Sequence, residues 1–373
     1  MSGRALTLEQ AKELVVQFAV AERLTAVCPY GNGHINDTFL LTCEKPGGGP
    51  QRYIMQRINH SIFKRPWELM ENIVNVTEYL RKEIAAFGGD PDRETLQVIR
   101  TKEKESCYRD KNGDYWRIFP FIERTVCMER VESAKDFYDS AAAFGNFQRM
   151  LADFPAAKLH ETIPNFHHTP TRFQTFVRAV KEDKLHRAGF VEKEIAFVLE
   201  REREASALAD LLERGELPLR VTHNDTKLNN ILFDEESKKA LCIIDLDTIM
   251  PGLALYDYGD SIRFGASTGE EDETDLGRVG LDLELFEAFT RGFLEGCGDS
   301  LTDREIELLP MGAKLMTFEC GIRFLTDYLE GDTYFKIHRE GHNLDRARTQ
   351  LKLVADMEQK WEKMCAIVAK CRS

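Results

Sequence analysis

The residues best suited to chemistry lie in one polar stretch in the middle of the chain. Asp225 stands two residues after His223, and Asn230 follows five residues after Asp225. Asp245 comes later, directly after the apolar run ALCII. Carboxylate and amide oxygens are the ligands that Mg²⁺ prefers, and a further carboxylate can orient a hydroxyl group and accept its proton. These side chains therefore supply the groups that phosphoryl transfer from a magnesium-bound nucleotide requires.

The elements that must position these side chains can be predicted from the residues around them. ILF and ALCII are typical of short strands, and DEESKK between them is typical of a turn. Protein kinases place an Asp and an Asn five residues apart on one loop and a second Asp after a later strand. An HxD motif alone would recur by chance, but the ordered combination indicates a kinase-like site. The alternative is a surface loop and a buried strand end whose acids cap helices.

Composition restricts the other possibilities. The chain has 373 residues, 43% hydrophobic and 30% charged, which is enough for two lobes with separate cores. Its net charge of -13 disfavours nucleic acid and anionic membranes as partners, although an acidic cleft could still bind Mg²⁺ or a cationic substrate. The sequence carries no indication of the oligomeric state.

The cysteine spacing and the hydropathy pattern predict the cellular compartment of the protein. Nine cysteines are scattered without CxxC or His-paired spacing, which predicts reduced thiols and a cytoplasmic protein. The first twenty residues predict an amphipathic helix instead of a signal peptide. No apolar run approaches the roughly 20 residues that span a bilayer, so no membrane association is expected.

A glycine-containing turn near the amino terminus is the candidate for the loop over the nucleotide. Gly31 and Gly33 precede a predicted strand, and small residues let the backbone approach a phosphate closely. A plain hairpin is the alternative. On the strand after that loop, Gln56 and Arg57 are the candidates to reach the phosphates. Strand alternation puts them on opposite faces, so only one can point towards the nucleotide, and the sequence leaves the choice open.

The next element is a helix over residues 66–87, with an apolar stripe at helical spacing. Kinases pair the strand cation with a Glu from this helix. Glu68 flanks the apolar stripe and is therefore the candidate for such a pair, whereas a solvated acidic face is the alternative.

The predicted elements then change from strands to helices. Residues 116–122 predict a strand in which a proline marks an edge or an end. We place the connection between lobes there and expect the backbone around Phe121 to face the adenine. This division gives a nucleotide-binding lobe over residues 1–122 and a larger catalytic lobe over residues 123–373. The second lobe is predicted to be mainly helical, with a long charged helix over residues 192–214.

Longer strings of the sequence resemble a known family. GHINDTF, YIMQRIN, HNDTKLNNI, IIDLDTIMPGLALYDYGDSIRFG and GIRFLTDYLEGDTYF resemble the N-acetylhexosamine 1-kinases of the aminoglycoside phosphotransferase and choline kinase group. Together they span about residues 30–340. The resemblance implies an α+β, bilobal protein-kinase-like fold with a small β-rich lobe and a larger helical lobe. It also implies transfer of the γ-phosphate of ATP, with Mg²⁺, to the anomeric hydroxyl of N-acetylglucosamine or N-acetylgalactosamine.

The resemblance also implies roles for single residues in the central stretch. Asp225 resembles the catalytic base, and Asn230 and Asp245 resemble the Mg²⁺ ligands. Gln56 takes the place of the usual strand lysine, which is a departure from the pattern. Thr248 matches a position used around the sugar, and it lies three residues after Asp245, near the transferred phosphate.

Two further matches, Arg323 and Tyr334, lie some eighty residues later and concern the sugar substrate. Arg323 falls at the margin of a buried helical face, where a guanidinium needs an acceptor such as a sugar oxygen. A structural ion pair with Glu319, four residues earlier, is the alternative. Tyr334 could instead serve packing.

Three other residues of the central stretch are expected to support the site. His223 is predicted to pack beneath the loop as a structural histidine. Asp257 and Asp260 are predicted to accept hydrogen bonds from the loop backbone.

Two other functions remain open at this point. The first is a kinase of another small hydroxyl substrate, such as a choline-like amino alcohol, an aminoglycoside or methylthioribose. A cationic substrate of that kind would need several acids in its pocket. The second is a catalytically silent nucleotide-binding protein that acts through partners.

Overall fold

A computed structural model describes residues 6–31, 35–128 and 133–372, which form two compact units. The first unit contains Met1–Cys127, Ala157–Ile163 and Leu232–Met250, and the second contains the remaining segments. The first unit thus consists of a leading segment that ends at Cys127 and two later segments.

Among the described residues, strands outnumber helices in the first third of the chain, and helices outnumber strands in the rest. The strands are β1 (Arg23–Pro29), β2 (Asp37–Glu44), β3 (Pro50–Ile58), β4 (Tyr108–Arg109), β5 (Tyr115–Pro120), β6 (Thr125–Cys127), β7 (Arg220–Thr222), β8 (Ile231–Asp234), β9 (Ala240–Ile243) and β10 (Met250–Gly252). The helices are α1 (Leu8–Val15), α2 (Pro66–Ala86), α3 (Pro91–Glu94), α4 (Ala134–Met150), α5 (Thr169–Glu182), α6 (Glu192–Leu199), α7 (Glu202–Ala205), α8 (Ala207–Glu213), α9 (Ala254–Gly265), α10 (Leu283–Cys297), α11 (Asp303–Glu307), α12 (Leu309–Glu330), α13 (His342–Gln359) and α14 (Trp361–Arg372). Together they give an α+β chain, as predicted.

The first unit is built on an antiparallel five-stranded sheet in the order β1-β2-β3-β5-β4. One face of the sheet alternates into a core shared with α1, where Leu41, Met55 and Ile118 are fully buried. Thr7 is the N-cap of α1, and its side chain and that of Gln10 form a capping box. A second sheet, in the order β6-β8-β9, completes the strands of this unit.

The second unit is mainly helical, and close approach of α4 and α10 organises part of its core. A Cβ atom at Gly145 would lie 2.3 Å from the carbonyl oxygen of Phe293, so only glycine allows this separation. Tyr258 of α9 is fully buried against the aromatic rings of α10, and its hydroxyl lies 2.7 Å from the Thr290 hydroxyl. This packing fixes α9, which begins just after the central polar stretch.

Two predicted elements differ from the structure. The helix predicted within the first twenty residues ends at Val15, because the following residues turn into a bridge between Phe18 and Thr101. The predicted long helix over residues 192–214 is broken into α6, α7 and α8. At the first break Arg201 forms a bidentate ion pair with Glu358 of α13, so a tertiary contact outweighs helical propensity there.

Candidate active site

A buried carboxylate shapes the loop that carries Asp225. Asp257, on α9, accepts hydrogen bonds from the backbone N–H groups of His223 (2.9 Å) and Asn224 (2.8 Å) and from the Gln148 side chain (2.8 Å). Burial raises the pKa of Asp257, while these donors and the neighbouring His223 oppose the rise. The predicted backbone contact of Asp257 is therefore confirmed. It holds Asn224 in the left-handed region, at φ 63°, directly before Asp225.

His223 is a packed, structural side chain, as predicted. Its ring is fully buried, with the edges of Phe144 and Phe147 at centroid distances of 5.6 and 6.1 Å. Its Nδ1 accepts a hydrogen bond from the backbone N–H of Asp225 at 3.3 Å. The histidine thus fixes the backbone of the loop from below.

Asp260 has a different role from the predicted one. Its carboxylate accepts a hydrogen bond from Arg263 Nε at 2.9 Å and not from the loop backbone. Burial alone would raise the pKa of Asp260, but the charges of Arg263, His167 and Lys227 and the hydrogen bond from Arg263 together outweigh it, so the pKa is lowered. One helical turn separates the two residues, so the pair forms within α9.

Asp225, Asn230 and Lys227 come together in the second unit. The Asn230 side-chain nitrogen donates to the backbone oxygen of Asp225 at 2.9 Å and to its carboxylate at 3.1 Å. Lys227 Nζ lies 2.6 Å from the other carboxylate oxygen of Asp225. Burial would lower the pKa of Lys227, but the attraction of Asp225 outweighs it and the pKa is raised. The sequence prediction missed Lys227, although its place two residues after the predicted base was a usable signal.

The two residues predicted to ligate Mg²⁺ have suitable donors. Because the Asn230 nitrogen is committed to Asp225, the side-chain oxygen of Asn230 is the atom that it can offer to a cation. Asp245, in the first unit, adopts the left-handed conformation, with φ 59° and ψ 57°, just before a 3₁₀ turn over Leu246–Thr248. Strained backbone of this kind concentrates at functional sites. An amide oxygen and a carboxylate match the ligand chemistry of Mg²⁺.

A buried polar network joins the large sheet of the first unit to the turn that follows Asp245. Arg117 of β5 forms an ion pair with Asp247, and their side chains are 2% and 5% exposed. Arg117 Nε also donates to the side-chain oxygen of Gln56 at 2.9 Å, its register partner on β3. Asn36 donates to the other Asp247 oxygen at 2.5 Å. The sequence prediction missed Arg117, whose charge inside the apolar run WRIFPF was the available signal.

Gln56 and Arg57 lie on opposite faces of β3, as predicted, and they have different partners. Gln56 shares the face of Arg117, whereas Arg57 forms ion pairs with Asp37 and Asp114 on the other face. Arg57 there lines a cleft of about 460 Å³ between α1 and the β4–β5 turn. The cation on the face towards Asp247 thus comes from β5, and Arg57 is not that cation.

The predicted ion pair between Glu68 and the strand cation does not form. Glu68 instead forms an ion pair with Arg65, three residues earlier, at 2.8 Å. The Nδ1 atom of His160 lies 3.9 Å from the same carboxylate. The reason is that Arg57 is already paired on the far face and Gln56 is neutral. Asn72 occupies the buried side of α2, where its side chain bonds to the backbone oxygens of His160 and Ile249.

The residues predicted near the nucleotide are partly described. Gly31 has φ 73°, a conformation that favours glycine, whereas Gly33 lies outside the described residues. Phe121 donates its backbone N–H to the Arg52 carbonyl at 3.0 Å, which extends the sheet by one residue. The Arg52 guanidinium lies 4.1 Å from the centre of the Phe121 ring, and Tyr30 contacts that ring by its edge. Phe121 therefore packs beside the residue that precedes Gly31.

The residues predicted around the sugar fall into two groups. Thr248 ends the 3₁₀ turn that follows Asp245, in the first unit. Arg323 and Tyr334 meet in the second unit, with Arg323 Nη2 at 3.4 Å from the Tyr334 hydroxyl. The alternative ion pair of Arg323 with Glu319 does not form, because the Glu319 oxygens bind His167 and Thr169.

A second carboxylate holds the segment that carries Tyr334. Asp327 of α12 accepts hydrogen bonds from the backbone N–H groups of Thr333 (2.9 Å), Tyr334 (2.8 Å) and Phe335 (2.9 Å). Asn343 of α13 donates to the same carboxylate at 2.8 Å. The position of Tyr334 beside Arg323 is therefore set through the backbone. The sequence prediction missed Asp327 as well.

Two other kinds of site are absent from the described residues. No helix there is long and apolar enough to cross a membrane. No group of three or more His, Cys, Asp or Glu side chains in residues 6–31, 35–128 and 133–372 is arranged to hold a metal ion.

Comparison with known proteins gives a family match and a fold match. The model of the phosphotransferase enzyme family matches residues 26–292. A microcompartment-associated aminopropanol kinase is similar in structure, with a TM-score of 0.59 and 15% identity over 96% of this chain and 98% of that one. An aminoglycoside phosphotransferase from Alicyclobacillus acidocaldarius gives a TM-score of 0.57 and 12% identity over 100% of this chain and 98% of that chain. A spectinomycin phosphotransferase in complex with ADP and spectinomycin gives a TM-score of 0.58 and 13% identity over 95% of this chain and 100% of that chain.

Proposed function

The chain belongs to the phosphotransferase enzyme family, and from that premise we propose that it transfers the γ-phosphate of ATP to the anomeric hydroxyl of an N-acetylhexosamine. The products would be the sugar 1-phosphate and ADP. The fold is that of the protein-kinase-like phosphotransferases, with a sheet in the first unit and a mainly helical second unit.

One observation carries the catalytic part of the proposal. Asp225 lies on a loop whose backbone is fixed by Asp257, with Asn230 and Lys227 at hydrogen-bonding distance from its carboxylate. A base on a rigid loop, next to a metal-binding amide and a cation, is the arrangement that phosphoryl transfer to a hydroxyl needs.

In the proposed reaction Asp225 orients the acceptor hydroxyl and takes its proton. The acceptor oxygen bonds to the γ-phosphorus, the bond from that phosphorus to the β–γ bridging oxygen breaks, and ADP leaves with that oxygen. Asn230 and Asp245 would hold Mg²⁺, which supplies positive charge to the phosphates when it is bound. Lys227 adds a positive charge beside the base.

The nucleotide would be held by residues of the first unit. We propose that Gly31 and Gly33 lie in the loop over the phosphates. Gln56, on the face of β3 that it shares with Arg117, would lie beside the same phosphates. Phe121 marks the adenine end of this region. Arg117 acts through Asp247, because the pair fixes the turn that Asp245 begins.

The acceptor sugar would contact Thr248, Arg323 and Tyr334. Support for the last two comes from their contact with each other and from the Asp327 backbone bonds that position Tyr334. We also place the enzyme in the cytoplasm, because its nine cysteines lack the spacing of a disulfide framework or a zinc site.

A coupled ADP-release screen tests this function. The acceptors are N-acetylglucosamine, N-acetylgalactosamine, their parent hexoses, choline, aminopropanol, methylthioribose and an aminoglycoside. We expect turnover with an N-acetylhexosamine, and phosphorus NMR of the product should show an anomeric phosphate. Turnover confined to the amines or to methylthioribose would refute the sugar proposal and leave a kinase. A lack of turnover with every acceptor, while ATP still binds, would favour a nucleotide-binding protein without catalysis.

A further inference from the structure

Two arginines in the second unit lie close together without a carboxylate partner. Arg172 stands in the first turn of α5 and Arg323 stands on α12. Neither guanidinium forms an ion pair with a carboxylate in the part of the chain that the structure describes. Two like charges cost free energy when they are close and partly desolvated, so a site of this kind needs an acceptor.

Arg172 is incompletely satisfied by the protein. Its Nη2 donates to the backbone oxygen of Phe166 at 3.0 Å, but its Nε is buried and has no hydrogen-bond partner among the described residues. Burial and the positive charge of Arg323 lower the pKa of Arg172. A buried donor without a partner is costly unless a ligand supplies the acceptor.

Arg323 is held by aromatic rings instead of an acid. Its guanidinium lies 5.7 Å from the ring centre of Phe166, 5.8 Å from that of Tyr334 and 5.4 Å from that of Phe335. Tyr334 is 66% exposed, so these rings lie at an open edge of the unit. Cation–π contacts orient a guanidinium but leave its charge uncompensated.

The nearest acid is already used. Glu319 Oε1 lies 2.8 Å from His167 Nδ1, and its Oε2 accepts from the Thr169 hydroxyl at 2.7 Å. The Glu319 side chain is only 1% exposed, so it cannot turn towards the arginines without leaving a buried partner. Glu319 attracts both arginines through its charge, but it forms an ion pair with neither of them.

We propose that Arg172 and Arg323, with Tyr334 at the open edge, form a subsite for an anionic substituent, a carboxylate or a sulfate, on the acceptor sugar. Guanidinium groups bind such anions by paired, charge-assisted hydrogen bonds. The subsite disfavours acceptors with an ammonium group at the same place, because like charges repel. The proposal deepens the proposed function: it rests on a sugar acceptor and names a further class of that acceptor.

Binding without ATP tests this subsite separately from catalysis. The probes are N-acetylglucosamine, its 6-sulfate, N-acetylmuramate, glucuronate and glucosamine, each titrated calorimetrically into the whole chain. We expect at least one anionic sugar to bind about tenfold more tightly than N-acetylglucosamine, because a charged acceptor strengthens its hydrogen bonds by that order. This preference should weaken with added salt. If no anionic sugar binds more tightly than N-acetylglucosamine, the subsite is wrong.

Substitutions locate the effect. Arg172→Gln and Arg323→Gln should each abolish the preference for the anion, whereas Arg172→Lys, which keeps the charge, should retain part of it. Arg178→Gln is the matched control, because Arg178 lies on the exposed side of the same helix. A preference that survives in both Gln variants, or that Arg178→Gln also removes, would overturn the assignment. Turnover of neutral N-acetylhexosamines is measured in the separate coupled assay, so failure of the proposed function is distinguished from failure of this subsite.

Discussion

Replacement of Arg117 by Met tests the buried network that joins the sheet to the turn after Asp245. The ion pair of Arg117 with Asp247 is almost inaccessible to water, with side chains 2% and 5% exposed. Removal of one partner leaves the other charge buried, which costs about 3–5 kcal/mol of unfolding free energy. Gln56 also loses its donor at 2.9 Å, and this loss is part of the same cost. We therefore expect Arg117→Met to be among the most destabilising single substitutions in the first unit.

The double variant Arg117→Met with Asp247→Asn separates charge from packing. Asn at 247 can still accept the hydrogen bond of Asn36, and it leaves no buried charge. We expect the double variant to be more stable than Arg117→Met alone by about 0.5–3 kcal/mol, the range measured for directly interacting pairs. Recovered stability should not recover kcat, if the pair is needed to hold the turn that Asp245 begins.

Urea unfolding followed by tryptophan fluorescence is a suitable assay. Trp67 and Trp116 lie in the first unit, and Trp116 is the neighbour of Arg117. Arg100→Met is a matched control, because Arg100 pairs with Glu78 at a largely exposed position of the same unit, where a pair contributes about 0–1 kcal/mol. A loss below about 1 kcal/mol for Arg117→Met, or a double variant no more stable than the single one, would refute the reasoning.

Three further predictions concern the second unit. Asp225→Asn should lower kcat about 10²- to 10⁴-fold with nearly unchanged ATP affinity by calorimetry, because the amide cannot take the proton; full activity would exclude Asp225 as base. Asp327→Ala should raise the KM for the acceptor about tenfold in steady-state assays, because three backbone donors lose their acceptor, a loss of at least about 1 kcal/mol. An unchanged KM would separate the loop from the acceptor. Burial opposes ionisation of Glu319, but the contact with His167, the charge of Arg323 and the Thr169 hydrogen bond together outweigh it, so its folded-state pKa lies below the ordinary value of 4.5. It therefore contributes stability above pH 4.5 that is lost as the pH falls through the lower folded-state pKa. In urea unfolding at a series of pH values, Glu319→Gln should be less stable than the wild type at neutral pH, and the difference should shrink on acidification. A difference that stays constant with pH would contradict this linkage.

The sequence predicted the parts of the site that are close along the chain. Asp225 and Asn230 lie on one short loop, so their spacing alone brings them together. The contact of Asp257 with the same loop is different, because 33 and 34 positions separate it from Asn224 and His223. Local geometry therefore explains only the contact between Asp225 and Asn230.

The sequence did not predict contacts that depend on strand register. Arg117 meets Gln56 because β3 and β5 pair at that register, and the two residues are separated by 61 positions. Hydrophobic alternation indicates which side chains of one strand share a face. It does not indicate which neighbouring strand supplies a charged side chain to that face. The predicted ion pair of Glu68 with the strand cation was wrong for a similar reason. Arg65 lies three residues from Glu68 and pairs with it, whereas Arg57 is paired with Asp37.

The Asp327 contacts have a consequence for how this chain can diversify. In the segment of residues 333–335 the carboxylate binds main-chain N–H groups, which every residue type except proline possesses. These contacts hold the segment without using the side chain of Tyr334, which is 66% exposed. Tyr334 can therefore be exchanged for another residue while the backbone contacts remain in place. A single acid on α12 thus fixes the backbone at residue 334 while the exposed side chain there can vary. Selection can therefore change the acceptor preference at this position without a change of fold.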